Sequence, residues 1–396
     1  MNKIIRRVFK DNFMISLPTL IISVCLILFL IIGLSTKEST NVSYSATLLE
    51  EQIIIEEYLS DSSIIYSIEE PYIIVNPYKI SPLTALVIFT TDLEVSIEVT
   101  VHGKTTEADI VYVTETTTQH LIPIYGLYAD YFNTVTFKIV GSNEDAKVII
   151  IETKVLPSSI ELPSRITTTY EYFGNDLMIF NHPSGGPVGY DYLGDVRWYL
   201  TEKVFYSINI LENGLLLVGS ERSLFEGISR TSLYEMDYLG KIYTEYIIPN
   251  GYTGQVIELP NNNLLVSSNS IDGGVNNSLI ELDRNYGNII NTFDISDTFP
   301  TSDGKNDLWS SNNYFDISGL AYDAITNSIY ISGKNQDVII NVDYEDFTLN
   351  YVIGDPSNFD SRLVELYFLT PLNTPFTWAY YQSDIELLDN GDILVF

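Results

Sequence analysis

The feature that most constrains the fold of this chain is a short pattern that recurs four times after residue 200. Each copy combines a turn containing asparagine with an apolar strand, and the copies read NGLLLVGS, NNNLLVSS, NSIYISGK and NGDILVF. They begin at residues 213, 261, 327 and 390, roughly 48 to 66 residues apart. Repeated strands separated by turn residues are typical of antiparallel sheets that bury their apolar faces only against neighbouring copies. The sequence therefore predicts an array of repeated β-sheets.

A β-propeller accounts best for this array. Two further strand-like segments follow each of the first three copies, and a weaker first copy covers residues 176–201. A four-stranded blade takes about 40 to 50 residues, so we expect the excess length in inserted loops at residues 296–312 and 356–378. We assign residues 165–396 to the propeller and the fold to the all-β class.

The end of this array raises a question of closure, because the last copy supplies only one or two strands. A propeller must close its ring, or its last blade exposes unpaired strand edges. We expect the propeller to be incomplete, with a truncated gene product or fragment as the first explanation. A shorter ring, or pairing with a second chain in a homo-oligomer, is the alternative.

The N-terminal segment resembles a membrane anchor. Four basic residues within residues 1–12 precede an uncharged run, residues 13–34, that is long enough to cross a bilayer as a helix. We predict a cytoplasmic basic segment, a retained single-pass transmembrane helix in the cell membrane and an extracytoplasmic remainder. The alternative is a cleaved signal peptide, whose apolar region usually covers about 7 to 15 residues. The only cysteine, Cys25, lies in this run, so no disulfide within the chain is expected.

Two regions separate the anchor from the propeller. Residues 35–70 contain apolar side chains near helical spacing, which predicts a helical stem, with an edge strand as the alternative. Residues 71–155 alternate apolar and polar side chains over several short segments, which predicts a small β-sandwich. Residues 156–164, containing two prolines, are interpreted as the linker into the propeller.

The charge of the chain excludes one class of function. The formal net charge is −32, and a surface of this sign repels nucleic acid phosphates, so we predict no nucleic acid partner. A solvated acidic exterior explains this composition. An anionic substrate would need basic groups close to its binding site.

Two segments of the sandwich region have a distinctive sequence, residues 76–87 (NPYKISPLTALV) and 120–137 (HLIPIYGLYADYFNTVTF). They resemble the N-terminal domain of the bacterial arylsulfate sulfotransferases, which in that family precedes a six-bladed propeller. Residues 255–266 (QVIELPNNNLLV) resemble a family segment of the form His-His-Asp-x-x-x-Leu-Pro-Asn-Gly-Asn. Residues 322–343 resemble the strand pair that carries a family arginine.

This resemblance implies sulfuryl transfer from an aryl sulfate to a phenol, through a sulfated histidine and without a nucleotide donor or other cofactor. Such chemistry needs a nucleophilic imidazole and cationic or hydrogen-bonding groups around the sulfuryl oxygens. A small phenol or aryl sulfate would be the partner of the site.

The catalytic histidines of the family are not retained at the matching positions. The histidine pair falls on Thr253 and Gly254, a second histidine falls on Asp316, and a later one falls on Ser383. The family arginine falls on Lys334, which keeps the charge but loses the planar two-point contact with an oxyanion. By the same resemblance, three residues would bind substrate: Lys334, Tyr314 and Gln382.

The remaining candidates are weaker. The three histidines are His102, His120 and His182, and no histidine follows His182. We expect His102 and His120 to be structural and His182 to occupy a turn. Residues 303–307 (DGKND) form an oxygen-rich loop that lacks the twelve-residue spacing of a helical calcium loop, so we expect a solvated turn and no metal site.

Two classes of function stay open. One is an anchored, extracytoplasmic sulfotransferase by descent, whose catalysis is doubtful because the loss of a covalent nucleophile costs several powers of ten in turnover. The other is a non-catalytic propeller that binds a ligand or protein, for which the loss of histidines carries no penalty.

Overall fold

A computed structural model describes residues 44–59, 66–143, 145–174, 176–181, 186–228, 230–373 and 375–396. The predicted transmembrane helix, residues 13–34, and His182 both lie outside these ranges. Within them, no helix combines the length and the apolar character that crossing a membrane requires.

The first described element is helix α1 (Tyr44–Leu59), within the segment for which the sequence predicted a helical stem. The side-chain amide of Gln52 donates to the carbonyl oxygen of Ile242 and accepts from its N–H group, both at 2.8 Å. One turn later, the Glu56 carboxylate accepts hydrogen bonds from the Tyr78 hydroxyl and the Lys241 ammonium. Polar contacts therefore fasten α1 to the globular part of the chain.

Seven strands then form two packed antiparallel sheets. The strand order is β1-β2-β5 in one sheet and β4-β3-β6-β7 in the other. Inward-facing side chains such as Phe89, Val99 and Phe137 alternate with solvent-facing ones and bury a common core between the sheets. The strands are β1 (Tyr72–Val75), β2 (Ala85–Val95), β3 (Ile97–Val101), β4 (Ile110–Val113), β5 (Thr117–Ile124), β6 (Phe132–Ile139) and β7 (Lys147–Glu152).

A short helix, α2 (Tyr170–Phe173), precedes a three-stranded sheet of order β10-β9-β8 that contacts the sandwich. Its strands are β8 (Met178–Asn181), β9 (Pro187–Tyr190) and β10 (Val196–Tyr199). The buried guanidinium of Arg197 donates to the carbonyl oxygens of Gly126 and Ala108 and lies 3.3 Å from the Asp191 carboxylate. The sandwich and this sheet therefore share a buried polar contact.

Three four-stranded sheets and one two-stranded sheet follow, each with its strands in sequence order. With the sheet of β8 to β10, they are numbered here as propeller sheets 1 to 5. Sheets 2 and 3 contain β11 (Phe205–Ile210), β12 (Leu216–Gly219), β13 (Ser232–Met236), β14 (Ile242–Ile247), β15 (Tyr252–Glu258), β16 (Leu264–Ser268), β17 (Ser278–Leu282) and β18 (Ile289–Asp294). Sheets 4 and 5 contain β19 (Ile317–Asp323), β20 (Ser328–Gly333), β21 (Val338–Asp343), β22 (Leu349–Gly354), β23 (Ile385–Leu387) and β24 (Ile393–Val395), with helix α3 (Ser361–Tyr367) between β22 and β23.

The first strands of sheets 2 to 5 pack side by side, β11 against β15, β15 against β19 and β19 against β23. Meandering four-stranded sheets whose first strands line a common axis are the architecture of a β-propeller. In the described part of the chain, sheet 5 has two strands where sheets 2 to 4 have four, and the ring of sheets is not closed.

Neighbouring propeller sheets are also joined by buried ions. Arg284, which follows β17, donates to the carboxylates of Glu235 on β13 and Glu258 on β15. All three side chains are at least 87% buried. Burial raises the pKa of Glu235, but hydrogen bonds from Arg284, Tyr246 and Asn213 outweigh this, and its pKa is lowered. The ion pairs therefore hold sheet 2 against sheet 3 at the end opposite the site described next.

Candidate functional site

The candidate site lies at the upper rim, which we define as the end of the propeller where the first strands β11, β15, β19 and β23 begin. Thr253 and Gly254 are at the start of β15, and Asp316 directly precedes β19. Lys334 directly follows β20, whose last residue, Gly333, pairs with Ile317 at the start of β19. The antiparallel meander therefore brings residues far apart in sequence to one rim.

Asn276 joins two of the predicted positions. Its side-chain oxygen accepts from the Thr253 hydroxyl at 2.6 Å, and its amide nitrogen donates to the Asp316 carboxylate at 2.8 Å and to the Ile317 carbonyl at 2.9 Å. Asn276 is only 7% exposed and has a left-handed backbone, with φ of 51°. The carboxylate that the resemblance matched to a family histidine is thus engaged by a buried amide.

Lys334 is held by its main chain and keeps its charge unpaired. Its N–H donates to the carbonyl oxygen of Asp316 at 3.1 Å, and its own carbonyl accepts from the Asn306 side chain at 2.8 Å. The half-buried ammonium group makes no ion pair or hydrogen bond with any residue that the structure describes. Unpaired charge at a fixed position is what an anion-binding group requires.

The segment before β23 completes the rim. The Ser318 hydroxyl donates to the carbonyl oxygen of Gln382 at 2.9 Å, which links the starts of β19 and β23. Gln382 is buried, and its side-chain oxygen lacks a hydrogen-bond partner among the described residues. Ser383 is exposed, and its N–H donates to the carbonyl oxygen of Phe396. Gln382 therefore lies at the rim with an unused acceptor.

Tyr314 lies apart from this group. Its ring is buried in the core between sheets 3 and 4, and its hydroxyl donates to the Asp294 carboxylate at 3.2 Å. Burial and the neighbouring Asp294 charge raise the pKa of Tyr314. Because its ring and its hydroxyl both have partners within the protein, the structure places Tyr314 as a packing residue beneath the rim.

Both described histidines lie in the sandwich. His102 contacts Asp109 and Thr136, and His120 stacks on Phe89 at 4.8 Å between ring centroids, where burial lowers its pKa. Both therefore have partners within the sandwich.

Residues 303–307 form a packed loop beside Lys334. The Gln336 side chain donates to the carbonyl oxygen of Asp303, and the Asp307 carboxylate accepts from the Tyr381 hydroxyl. The described residues contain no group of three histidine, cysteine or carboxylate side chains arranged to hold a metal ion.

Sequence reasoning missed a cationic and aromatic group next to Thr253. The Arg230 guanidinium lies 4.5 Å from the ring centroid of Phe205 and 5.1 Å from that of Tyr206, at the start of β11. Its carbonyl oxygen accepts from the Tyr252 N–H at 2.8 Å. The sequence contains a signal that points to Arg230. When the repeats RTSLYEMD and NNSLIELD are aligned, Arg230 falls at the position of Asn276.

The rim therefore offers two cations, an engaged carboxylate and hydroxyl and amide groups. The described part of the rim contains no imidazole. This arrangement can bind a small oxyanion by charge and hydrogen bonds, but it lacks the nucleophile that would form a covalent intermediate. Fold and site together define a sandwich-and-propeller protein with a polar site at the rim where the first strands begin.

Comparison with known families identifies the lineage of this architecture. A family model described as arylsulfotransferase (ASST) matches residues 163–396, and a second, described as the arylsulfotransferase Ig-like domain, matches residues 72–156. The chain belongs to the arylsulfotransferase family, and the resemblance predicted from the sequence is confirmed.

Two curated relatives are both named arylsulfate sulfotransferase AssT. The protein from Escherichia coli is 24% identical over 369 residues, covering 67% of this chain and 61% of that protein. The protein from Lelliottia amnigena is 22% identical over 442 residues, covering 82% of this chain and 73% of that protein. The match thus spans about three-fifths of the length of the first relative.

Two solved structures show a distant likeness. A protein of unknown function from Bacteroides caccae is 13% identical with a TM-score of 0.33, over 67% of this chain and 96% of that one. The β-propeller domain of Cps50 (Swd1) from Myceliophteria thermophila is 11% identical with a TM-score of 0.33, over 59% of this chain and 61% of that one. Neither likeness is close enough to carry a conclusion.

Proposed function

We propose that this protein binds an aryl sulfate at the upper rim through Lys334 and does not pass the sulfuryl group through a histidine. The observation that carries the proposal is the unpaired Lys334 ammonium at the position of the family arginine. In a chain of net charge −32, an uncompensated cation held between two strands provides the local basic group that an anionic ligand needs.

Asp316 opposes this function and sets how much Lys334 must contribute. A free carboxylate about 4 Å from a sulfate would repel it by about 1 kcal/mol in water and about 4 kcal/mol at an effective dielectric of 20. The hydrogen bond from Asn276 fixes one carboxylate oxygen in place but leaves the negative charge. Binding of an anion at the rim therefore requires the cation of Lys334 to outweigh this repulsion.

Calorimetric titration with 4-nitrophenyl sulfate tests this proposal. An ammonium–sulfate contact at a half-buried site is worth about 1.4 to 2.8 kcal/mol, so Lys334→Met should weaken binding about 10- to 100-fold. Lys138→Met, which removes an exposed lysine from strand β6 of the sandwich, is the matched control and should bind like the parent protein. Equal affinity of the Lys334 and Lys138 variants, or no binding by the parent protein, would contradict the proposal.

The transfer reaction of the family is the second candidate, and family membership is what favours it. Its signature is release of 4-nitrophenol that depends on an added phenol. We expect no such release above that of Lys334→Ala. Phenol-dependent release of 4-nitrophenol would instead establish sulfuryl transfer if Lys334→Ala or His182→Asn abolished it. Loss of release in His182→Asn would identify His182 as the nucleophile.

We further propose that residues 13–34 anchor the protein in the cell membrane, with the sandwich and propeller outside. The support is the uncharged run itself and the basic residues before it, which favour a cytoplasmic N-terminus. An extracytoplasmic position would also suit a site that needs no nucleotide donor.

A further inference from the structure

Arg230 differs from the other partly or fully buried arginines that the structure describes. Arg197, Arg222 and Arg284 each form an ion pair with a carboxylate. Arg165 and Arg362 are exposed. Arg230 is half-buried, yet it pairs with no carboxylate within the described ranges. A half-buried guanidinium has lost part of its hydration, and in the part of the chain that the structure describes Arg230 has gained no carboxylate partner in return. An anion-binding arginine is in the same state before its ligand binds.

The side chain is nevertheless held in place. It stacks over Phe205 and Tyr206, and one of its N–H groups donates to the Tyr206 hydroxyl. Cation–π contact stabilises a guanidinium without consuming its hydrogen-bond donors, and a guanidinium has five of them. Most donors of Arg230 therefore stay available while its plane is fixed.

The backbone around this group is shaped for close approach. Arg230 and Tyr206 both have left-handed backbones, with φ of 60° and 63°. Tyr206 is 38% exposed, and its ring lies against Gly254, where a Cβ would come within 2.9 Å of it. Non-glycine residues in this region carry strain that concentrates at ligand sites. Arg230 is thus presented next to Thr253 and Gly254, the positions of the histidine pair of the family.

We propose that Arg230 is an oxyanion-binding residue of this rim, which contacts the sulfate group of an aryl sulfate through its planar N–H donors. The inference rests on the proposed function and deepens it. Lys334 supplies a point charge, and Arg230 supplies the two-point contact that a lysine cannot make. The anion-binding guanidinium comes from sheet 2, whereas the family arginine position is in sheet 4.

The test measures binding of 4-nitrophenyl sulfate and of inorganic sulfate to Arg230→Met, Arg230→Lys and Arg362→Met. Arg362→Met is the matched control, because it removes an exposed guanidinium from α3. We expect Arg230→Met to weaken binding of both anions at least tenfold, Arg230→Lys to weaken it less, and Arg362→Met to bind like the parent protein. Affinity of Arg230→Met within twofold of the parent protein would overturn the inference.

Two further outcomes separate the inference from the proposed function. If Lys334→Met loses binding and Arg230→Met does not, the inference fails and the proposed function stands. If the parent protein binds neither anion, both fail. If Arg230→Met does not fold, Tyr206→Phe is tested in its place, because it keeps the ring and removes the hydroxyl that holds the guanidinium. A loss of affinity of about threefold supports the role of Arg230, and unchanged affinity overturns it.

Discussion

Replacing Arg284 by methionine should destabilise the propeller in a pH-dependent way. The change keeps most of the apolar stem of the side chain but leaves the carboxylates of Glu235 and Glu258 buried without their cation. Breaking a buried ion pair by removing one partner costs about 3 to 5 kcal/mol, and these groups keep a little solvent contact, so we expect about 3 kcal/mol. For the propeller, residues 165–396, a destabilisation of about 3 kcal/mol corresponds to a loss of about 6 to 12 °C in Tm.

The pH dependence follows from the lowered pKa of Glu235. An ordinary glutamate has a pKa of about 4.3. In the parent protein, the ionised Glu235 therefore stabilises the fold above that pH. This stabilisation is lost as the pH falls through the lower pKa that Glu235 has in the folded state. In Arg284→Met the unpaired carboxylate is favoured in its protonated form. The stability difference between the two proteins should therefore be largest near pH 7 and shrink towards pH 4.

Thermal unfolding followed by circular dichroism between pH 4 and pH 7 measures both effects. Arg362→Met removes a guanidinium from an exposed position and should change Tm by no more than about 2 °C, because surface substitutions usually alter stability by less than about 0.5 kcal/mol. Adding Glu235→Gln to Arg284→Met should restore part of the lost Tm by removing a stranded charge. A Tm loss equal to that of Arg362→Met, or one that does not vary with pH, would refute the reasoning.

The remaining predictions concern the rim and the N-terminus. Chemical unfolding should show that Gly254→Ala destabilises the protein by about 1 to 3 kcal/mol more than Gly214→Ala. Both glycines have positive φ, but only at Gly254 would the added methyl group meet a ring, that of Tyr206. Equal losses would contradict this prediction, because they would mean that the Tyr206 ring moves away at no cost. The full chain should stay in the membrane fraction after alkaline washing, and deletion of residues 1–34 should release it; a full chain that is already in the supernatant would contradict the anchor.

The strands were the most predictable part of the fold. The four repeated patterns contain β12, β16, β20 and β24, because each has an apolar run flanked by residues that favour turns. An apolar run flanked by turn residues is a local property, so a single sequence carries it. Helix α1 lies in the segment where a helix was predicted, but its docking through Gln52 was not predictable, because a polar side chain gives no periodic signal.

The site was predictable only in part. The resemblance placed Thr253, Gly254, Asp316 and Lys334 on one family pattern, and the structure brings them to one rim. The link between them depends on Asn276, whose partners lie 23 and 40 residues away, and no local pattern predicts such contacts. Tyr314 illustrates the opposite limit, since a side chain two residues from Asp316 points into the core.

Arg230 shows why comparison of repeats within a chain adds information that motif matching omits. Its aromatic neighbours on β11 lie close to it only once β11, β12 and β13 have paired within sheet 2. A family motif names positions that relatives share, whereas a guanidinium supplied from a different sheet leaves no trace in that motif.

Helix α1 has a mechanical consequence. Gln52 and Glu56 connect it to sheet 2 at Ile242 and Lys241, about 190 positions later in the chain. A pulling force on the N-terminal side of α1 would therefore load the outer edge of sheet 2 at the same time as the sandwich that follows α1 in sequence. The sandwich and sheet 2 would therefore share the force. The two hydrogen bonds between Gln52 and Ile242 would have to break before the force could separate α1 from the outer strand β14.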